Sequence, residues 1–250
     1  MTRSSSTPAR TLVRALLQRL PPQRRALVEA RLRRLRTPVI LGTLRRTQPL
    51  SDWWGSDRGT PVDRYYIERF LDDHRADIHG RMLEVKDPGY TKRFGAGVSA
   101  FDVLDVDATN PHATIVTDLA RADAVESGSF DCFVLTQTLQ LVPDLRAALG
   151  HCRRLLSPGG VLLATMPSVS RLVGPAGGDH DYWRFTPAGC RRLFGEIFGA
   201  NAVEVRWYGN VLTSIAFLAG MAAEELRRRE LDERDDLYPL LVAVRATRLP

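Results

Sequence analysis

The sequence predicts an α/β fold, a mostly parallel sheet with helices on both faces, on three observations. Residues 130–167 read as one β-α-β unit. FDCFVL and VLLATMP are apolar runs of strand length, and between them Leu141, Val142, Leu145, Ala148, Leu149, Cys152, Leu155 and Leu156 fall at helical spacing before the turn Pro158-Gly159-Gly160. Five more runs of strand length, at 81–85, 101–107, 113–117, 202–207 and 240–246, bring the expected strands to seven. A chain of 250 residues, 44% hydrophobic, is long enough for one well-filled α/β domain plus an appendage.

The appendage comes first. Residues 1–48 hold 12 arginines and one acid, Glu29, a net +11, while the remaining 202 residues sum to −5. Residues 11–20 and 23–35 carry leucines at helical spacing (Leu12, Leu16, Leu20; Leu27, Leu32, Leu35), and Pro21-Pro22 divides them. A basic helical arm over 1–48 is therefore expected. Its charge admits either a solvated hairpin or a peripheral contact with an anionic membrane or protein partner. Its serine-rich, acid-poor start also has the composition of an organellar transit peptide.

The acidic body, 49–250, argues against nucleic acid as a partner, because phosphate neutralisation needs a basic face. The longest apolar run, 211–223, is interrupted by Thr213, Ser214 and Gly220 and falls short of the ~20 residues a span needs. A soluble protein follows. Cys132, Cys152 and Cys190 are odd in number and lie inside expected elements, so neither a disulfide framework nor a metal site is suggested, and a cytoplasmic location is expected.

The elements of the body then run in order. Residues 49–61 are polar and turn-rich with Trp53, Trp54 and Gly55. Residues 62–79 read as one helix with Asp63 near its start and Tyr66, Phe70 and Leu71 on one face, leading into the first strand. After the β-α-β unit, 168–181 is a glycine-rich loop, 186–198 a helix, and 211–229 a long helix between the last two strands.

Phe130-Asp131 opening a strand, 139–144 after it, the Leu155-Leu156-Ser157-Pro158-Gly159-Gly160 turn and Met166-Pro167 together resemble the second half of a class I S-adenosylmethionine-dependent methyltransferase. Residues 81–85, 101–107 and 113–119 resemble its first three strands. The segment from Asp181 to Pro187, DYWRFTP, is similar to one common in the subset found with glycan biosynthesis. The likeness covers roughly residues 50 to 247, and order and spacing carry it rather than any single motif. It implies a Rossmann-like, seven-stranded, mostly parallel sheet with the last strand antiparallel, S-adenosylmethionine as cofactor, and methyl transfer to a hydroxyl or amine of a small polar or carbohydrate-type acceptor.

Cofactor-binding positions are then expected at Glu84, Val85, Asp87, Gly89, Asp102, Asp118, Leu119 and Thr136. A strand-tip acid takes both ribose hydroxyls, typically about 20 residues beyond the first loop. Asp102, 18 positions after Glu84, is the first choice, with Asp105 and Asp107 competing should the strand run on. The resemblance makes Asp118 the acceptor of the adenine amino group, with Leu119 offering its amide; Asp118 could equally cap a helical turn. Where the family carries Gly-x-Gly-x-Gly, this chain has Lys86, Pro88 and Tyr90, with only Gly89 nearby. Either the loop takes another path, with Asp87 or Glu84 meeting the cofactor ammonium and Arg64, Tyr65 or Lys92 its carboxylate, or the fold serves as a non-catalytic scaffold. His180 is the candidate base, oriented by Asp179 or Asp181. Tyr182, Trp183 and Arg184 either contact the acceptor or pin their loop, and Trp53, Trp54, Arg58 and Tyr65 are candidates for a lid.

Overall fold

A computed structural model of the protein describes residues 17, 18, 20–36, 42–174 and 179–250. The chain divides into two compact units, Met1–Thr47 and Gln48–Pro250. In the first, helix α1 (Pro22–Arg36) covers the second expected arm helix, begins on a proline whose missing N–H costs nothing there, and leaves Leu27 and Leu35 exposed. Most of the helix expected over 11–20 lies outside the described residues.

The second unit is a seven-stranded sheet: β1 (Gly80–Val85), β2 (Val98–Asp105), β3 (Ile115–Val116), β4 (Phe130–Thr136), β5 (Leu156–Pro167), β6 (Val203–Tyr208) and β7 (Leu241–Thr247), in the order β3-β2-β1-β4-β5-β7-β6. Every pairing among the first five strands is parallel, and β7 runs antiparallel between β5 and β6. The expected sheet, its direction and its reversed last strand are all found.

Both faces are apolar, so successive residues of a strand enter opposite cores. Leu83, Phe133, Leu135, Leu162 and Ala164 pack against α4 (Leu145–Leu155) and α5 (Pro187–Phe198). Met82, Cys132, Val134, Val161 and Leu163 pack against α2 (Val62–Asp73) and α6 (Val211–Ala219), with Phe94 of the short α3 (Gly89–Phe94). The three cysteines are buried and free, as their spacing suggested.

Three boundaries differ from expectation. The helix expected over 62–79 ends at Asp73, where the chain tightens into a 3₁₀ turn, Arg75–Asp77. The long helix expected over 211–229 stops at Ala219 because Gly220 turns left-handed (φ +74°), and a Cβ there would lie 2.4 Å from the Ser51 carbonyl oxygen. A separate helix, α7, spans Arg228–Asp232. Pro158-Gly159-Gly160, expected as a turn, is the irregular start of β5, where Gly159 takes φ +85° and the register to β4 slips.

β1 is the centre of the topology, with β2 on one side and β4 on the other. Chain order reverses there, which opens a crevice outside the carboxyl ends of the strands.

Candidate active site

That crevice is a cavity of about 600 Å³ whose walls come from the carboxyl ends of β1, β2 and β4, the turn after β3, the loops after β4 and β5, and the start of α2 with the segment before it. Of the expected cofactor-binding residues, Glu84, Val85, Asp87, Asp118, Leu119 and Thr136 line it. Gly89 lines a second, more open hollow of about 690 Å³, which shares Lys86, Asp87 and Asp105 with the first.

The loop after β1 does without the glycine pattern by placing Lys86 itself in the left-handed region, at φ +69°. For a residue with a Cβ this costs about 1–2 kcal/mol. Two backbone bonds hold it: Lys86 donates its N–H to Leu104 at 3.1 Å and Asp87 donates to Val85 at 2.9 Å. Glu84, buried, accepts the amides of Tyr90 (3.0 Å) and Thr91 (2.8 Å), and Asp87 accepts that of Gly89 (2.9 Å). Burial raises the Glu84 carboxyl above its ordinary value, while the Thr91 and Tyr90 bonds pull the other way.

Asp102 does not reach the cavity. It pairs with Arg81 of β1 at 2.9 Å and accepts the Thr114 hydroxyl at 2.9 Å. β2 continues three residues further, about 10 Å at the usual rise per residue, so its tip is Asp105. Asp105 is buried, lines the cavity, and takes bonds from the Asp107 amide (3.2 Å) and the Asn110 side chain (2.6 Å). Asp107 turns into the open hollow, where the Thr109 hydroxyl and amide hold its carboxyl below the usual range.

Asp118 serves the turn Leu119–Arg121 as its cap, accepting the Ala120 amide at 2.9 Å with one oxygen. Its other oxygen has no protein partner among the described residues, so the capping role leaves it able to receive a donor in the cavity. Beyond β4, Gln137 takes φ +47° and receives the Gln140 amide on its carbonyl at 2.8 Å. The Gln140 side chain lines the cavity at 4% exposure, and its Oε1 has no partner among the described residues.

His180 is exposed, within 3.4 Å of the Tyr182 hydroxyl, and does not line the cavity. Asp181 is committed elsewhere: Arg184 grips both of its oxygens and Val173 donates its amide at 2.9 Å. These bonds hold its carboxyl below the ordinary range. Trp183 donates its indole N–H to the Val142 carbonyl at 2.9 Å, and Tyr182 donates its amide to Gln140 at 2.8 Å. The DYWRFTP segment therefore pins the loop after β5, and loop geometry keeps its histidine outside.

Sequence reasoning noted Asp63 only as a helix-start signal. In the structure it is a half-buried carboxylate in the cavity wall, with the Arg64 amide as its close partner at 2.8 Å. Burial pushes it up to about 6, the Arg64 bond offsetting only part of that. Arg64, Trp53 and Trp54 also line the cavity, whereas Tyr65 bonds Asp232, Arg58 pairs with Glu225, and Lys92 lies over the Phe101 ring in the open hollow. Among the described residues no cluster of potential metal ligands occurs and no helix is long and apolar enough to cross a membrane.

Residues 97–164 match the model of a family described as a methyltransferase domain. Over this stretch the chain carries a methyltransferase domain. A ubiquinone biosynthesis O-methyltransferase from Xanthomonas oryzae pv. oryzae is 29% identical over 222 residues, covering 77% of this methyltransferase and 89% of that protein. The polyketide synthase ThaQ of Burkholderia thailandensis is 28% identical over 131 residues, half of this chain but 6% of the synthase. A candidate sarcosine dimethylglycine methyltransferase from Galdieria sulphuraria shares the fold at a TM-score of 0.51 and 15% identity, covering 76% of this chain and 90% of that one. S-adenosylmethionine is the methyltransferase's cofactor, and the strand-tip carboxylates fit it: acceptor-only groups suit the hydroxyl and amino donors of a nucleoside.

Proposed function

We propose that this methyltransferase methylates a hydroxyl group of a small, polar, ring-shaped acceptor such as a carbohydrate, with Asp63 as the base. The carrying observation is the half-buried Asp63 carboxylate, which lines the cavity, accepts the Arg64 amide at 2.8 Å, and is raised to about 6. A base titrating near working pH is mostly deprotonated yet still basic enough to take a hydroxyl proton. Support for an oxygen acceptor comes from the Xanthomonas relative, itself an O-methyltransferase by name. The walls suit a polar ring: Trp53 and Trp54 offer flat apolar faces, and Ser56, Gln140 and Ser170 offer hydrogen-bonding groups.

The remaining wall residues then have roles. Asp105 takes the ribose hydroxyls, Asp118 the adenine amino group and the Leu119 amide a ring nitrogen. Glu84 and Asp87 face the ammonium of the amino-acid tail, and Arg64 its carboxylate. When bound, the cofactor supplies an electrophilic methyl group on a sulfonium. The protein aligns the acceptor oxygen and removes its proton, and positioning supplies most of the effect. The apolar wall formed by Leu104, Leu119, Leu141 and Val142 keeps water from competing.

The test is production of S-adenosylhomocysteine from the purified protein with a panel of sugars, polyols and phenols, each matched to its amine analogue. A hydroxyl acceptor that turns over with wild type and at least 100-fold more slowly with Asp63→Asn supports the reading. Turnover confined to amines, or indifferent to Asp63, overturns it.

A further inference from the structure

We propose that Asn110 is a positioning residue for the cofactor, its one side-chain amide fixing the tips of β1 and β2 relative to each other. Its Nδ2 donates to the Lys86 carbonyl at 2.6 Å and to the Asp105 carboxylate at 2.6 Å. The two partners are the left-handed residue that replaces the first glycine and the acid at the tip of the neighbouring strand, and both line the cavity.

Asn110 is itself fixed. Its Oδ1 accepts the His112 amide at 3.0 Å, its backbone amide donates to Asp107 at 3.2 Å, and its carbonyl accepts the Ala113 amide at 3.1 Å. The side chain is thus held by a turn, and both of its N–H groups are spent on the two strand tips. A carboxylate has about four lone-pair sites. The Asn110 and Asp107 donors occupy two of them on Asp105, which sets the carboxylate's orientation and leaves two for a pair of ribose hydroxyls. The arrangement also explains how the segment between β2 and β3 works without a helix: 106–114 is a turn whose purpose is to deliver this amide. A carboxylate gripped by one donor less would sample more orientations, and that freedom is lost when ligand binds.

The proposal rests on this cavity being the S-adenosylmethionine site, and the experiment separates the two. Titration calorimetry with 5′-methylthioadenosine, a nucleoside without the amino-acid tail, is run on wild type, Asn110→Ala, Asp105→Asn and the double variant. Asn110→Ala is expected to weaken the nucleoside about tenfold, and the double variant to bind within twofold of Asp105→Asn alone, because Asn110 acts through Asp105. Asn110→Ser, too short to reach either oxygen, should match Asn110→Ala and covers the case in which the alanine variant misfolds; a thermal melt without ligand reports folding. Asn110→Ala binding within twofold of wild type, or losses that multiply in the double variant as a general structural defect would make them, overturns the proposal. No nucleoside binding by folded wild type overturns the reading of the site and the proposal with it.

Discussion

From β4 to β5 the chain crosses over through eleven helical residues, Leu145–Leu155, whereas the crossover from β1 to β2 contains six and that from β2 to β3 none. The first region is held by its core: Phe133, Leu149, Cys152 and Leu155 are fully buried, and apolar periodicity alone specifies them. The second is held by polar contacts at strand tips, with Glu84 on the α3 amides, Asp105 on Asn110, and Lys86 in a left-handed turn. One half of the sheet is held by its core and the other by polar contacts around the crevice, which teaches that side-chain hydrogen bonds can hold a backbone path where the glycine pattern is missing.

The largest effect should come from the half held by its core. Phe133→Ala removes a fully buried ring and is expected to cost about 3–5 kcal/mol, measured by urea unfolding. A loss below about 1 kcal/mol would mean that the regular half does not carry the fold.

Around the crevice, Asp63→Asn should lower turnover about 100-fold or more with little change in cofactor affinity. For wild type the rate should fall as pH drops through about 6 and Asp63 protonates; the variant should lack that limb. The same shift has a stability consequence of known sign. The folded protein binds this proton more tightly than the unfolded chain, so the charged carboxylate's burden on the fold is absent below about pH 4 and complete above about pH 6. Asp63→Asn should therefore raise the melting temperature at about pH 8 and leave it unchanged at about pH 4. A melting temperature that shifts equally at both would remove Asp63 from the cavity.

Asp105→Asn should weaken S-adenosylhomocysteine binding roughly 10- to 100-fold, as expected for losing a charged hydrogen-bond acceptor, while Asp102→Asn should change it less than twofold. Equal losses would mean that the strand tip lies at Asp102 after all. The smallest effect is sought at Lys86→Gly. Relief of left-handed strain and the greater freedom of glycine in the unfolded chain oppose each other, leaving a net change within about 1 kcal/mol and in the stabilising direction. Destabilisation by more than that would show that the Lys86 side chain holds the loop.

How much was legible divides along the same line. Residues 130–167 were readable because burial on both faces writes long apolar runs. Asp118 stood out because it follows the apolar run 113–117, and the structure sets it in the cavity wall. Asp102 was preferred to Asp105 because counting from Glu84 cannot tell where β2 ends, and Val103-Leu104 continue a strand as readily as they begin a turn. Asp63 looked like a helix-start acid, which it also is, and a residue that satisfies a local rule hides any second role. Tyr182, Trp183 and Arg184 were chemically suited to an acceptor, yet their partners, Gln140, Val142 and Asp181, turn them to the loop.

By itself the sequence determined the number of strands, their succession along the chain and the apolar faces of the helices at 62–73 and 145–155, because those follow from periodicities that every residue of an element repeats; the reversed last strand came from the family resemblance. Only the tertiary structure decided which carboxylates share the crevice, that Lys86 supplies the glycine-like turn, and that Asn110 joins two strand tips. Those depend on single side chains brought together across 20 or more positions, from residue 86 to residue 110, and no local pattern records a contact made at that distance.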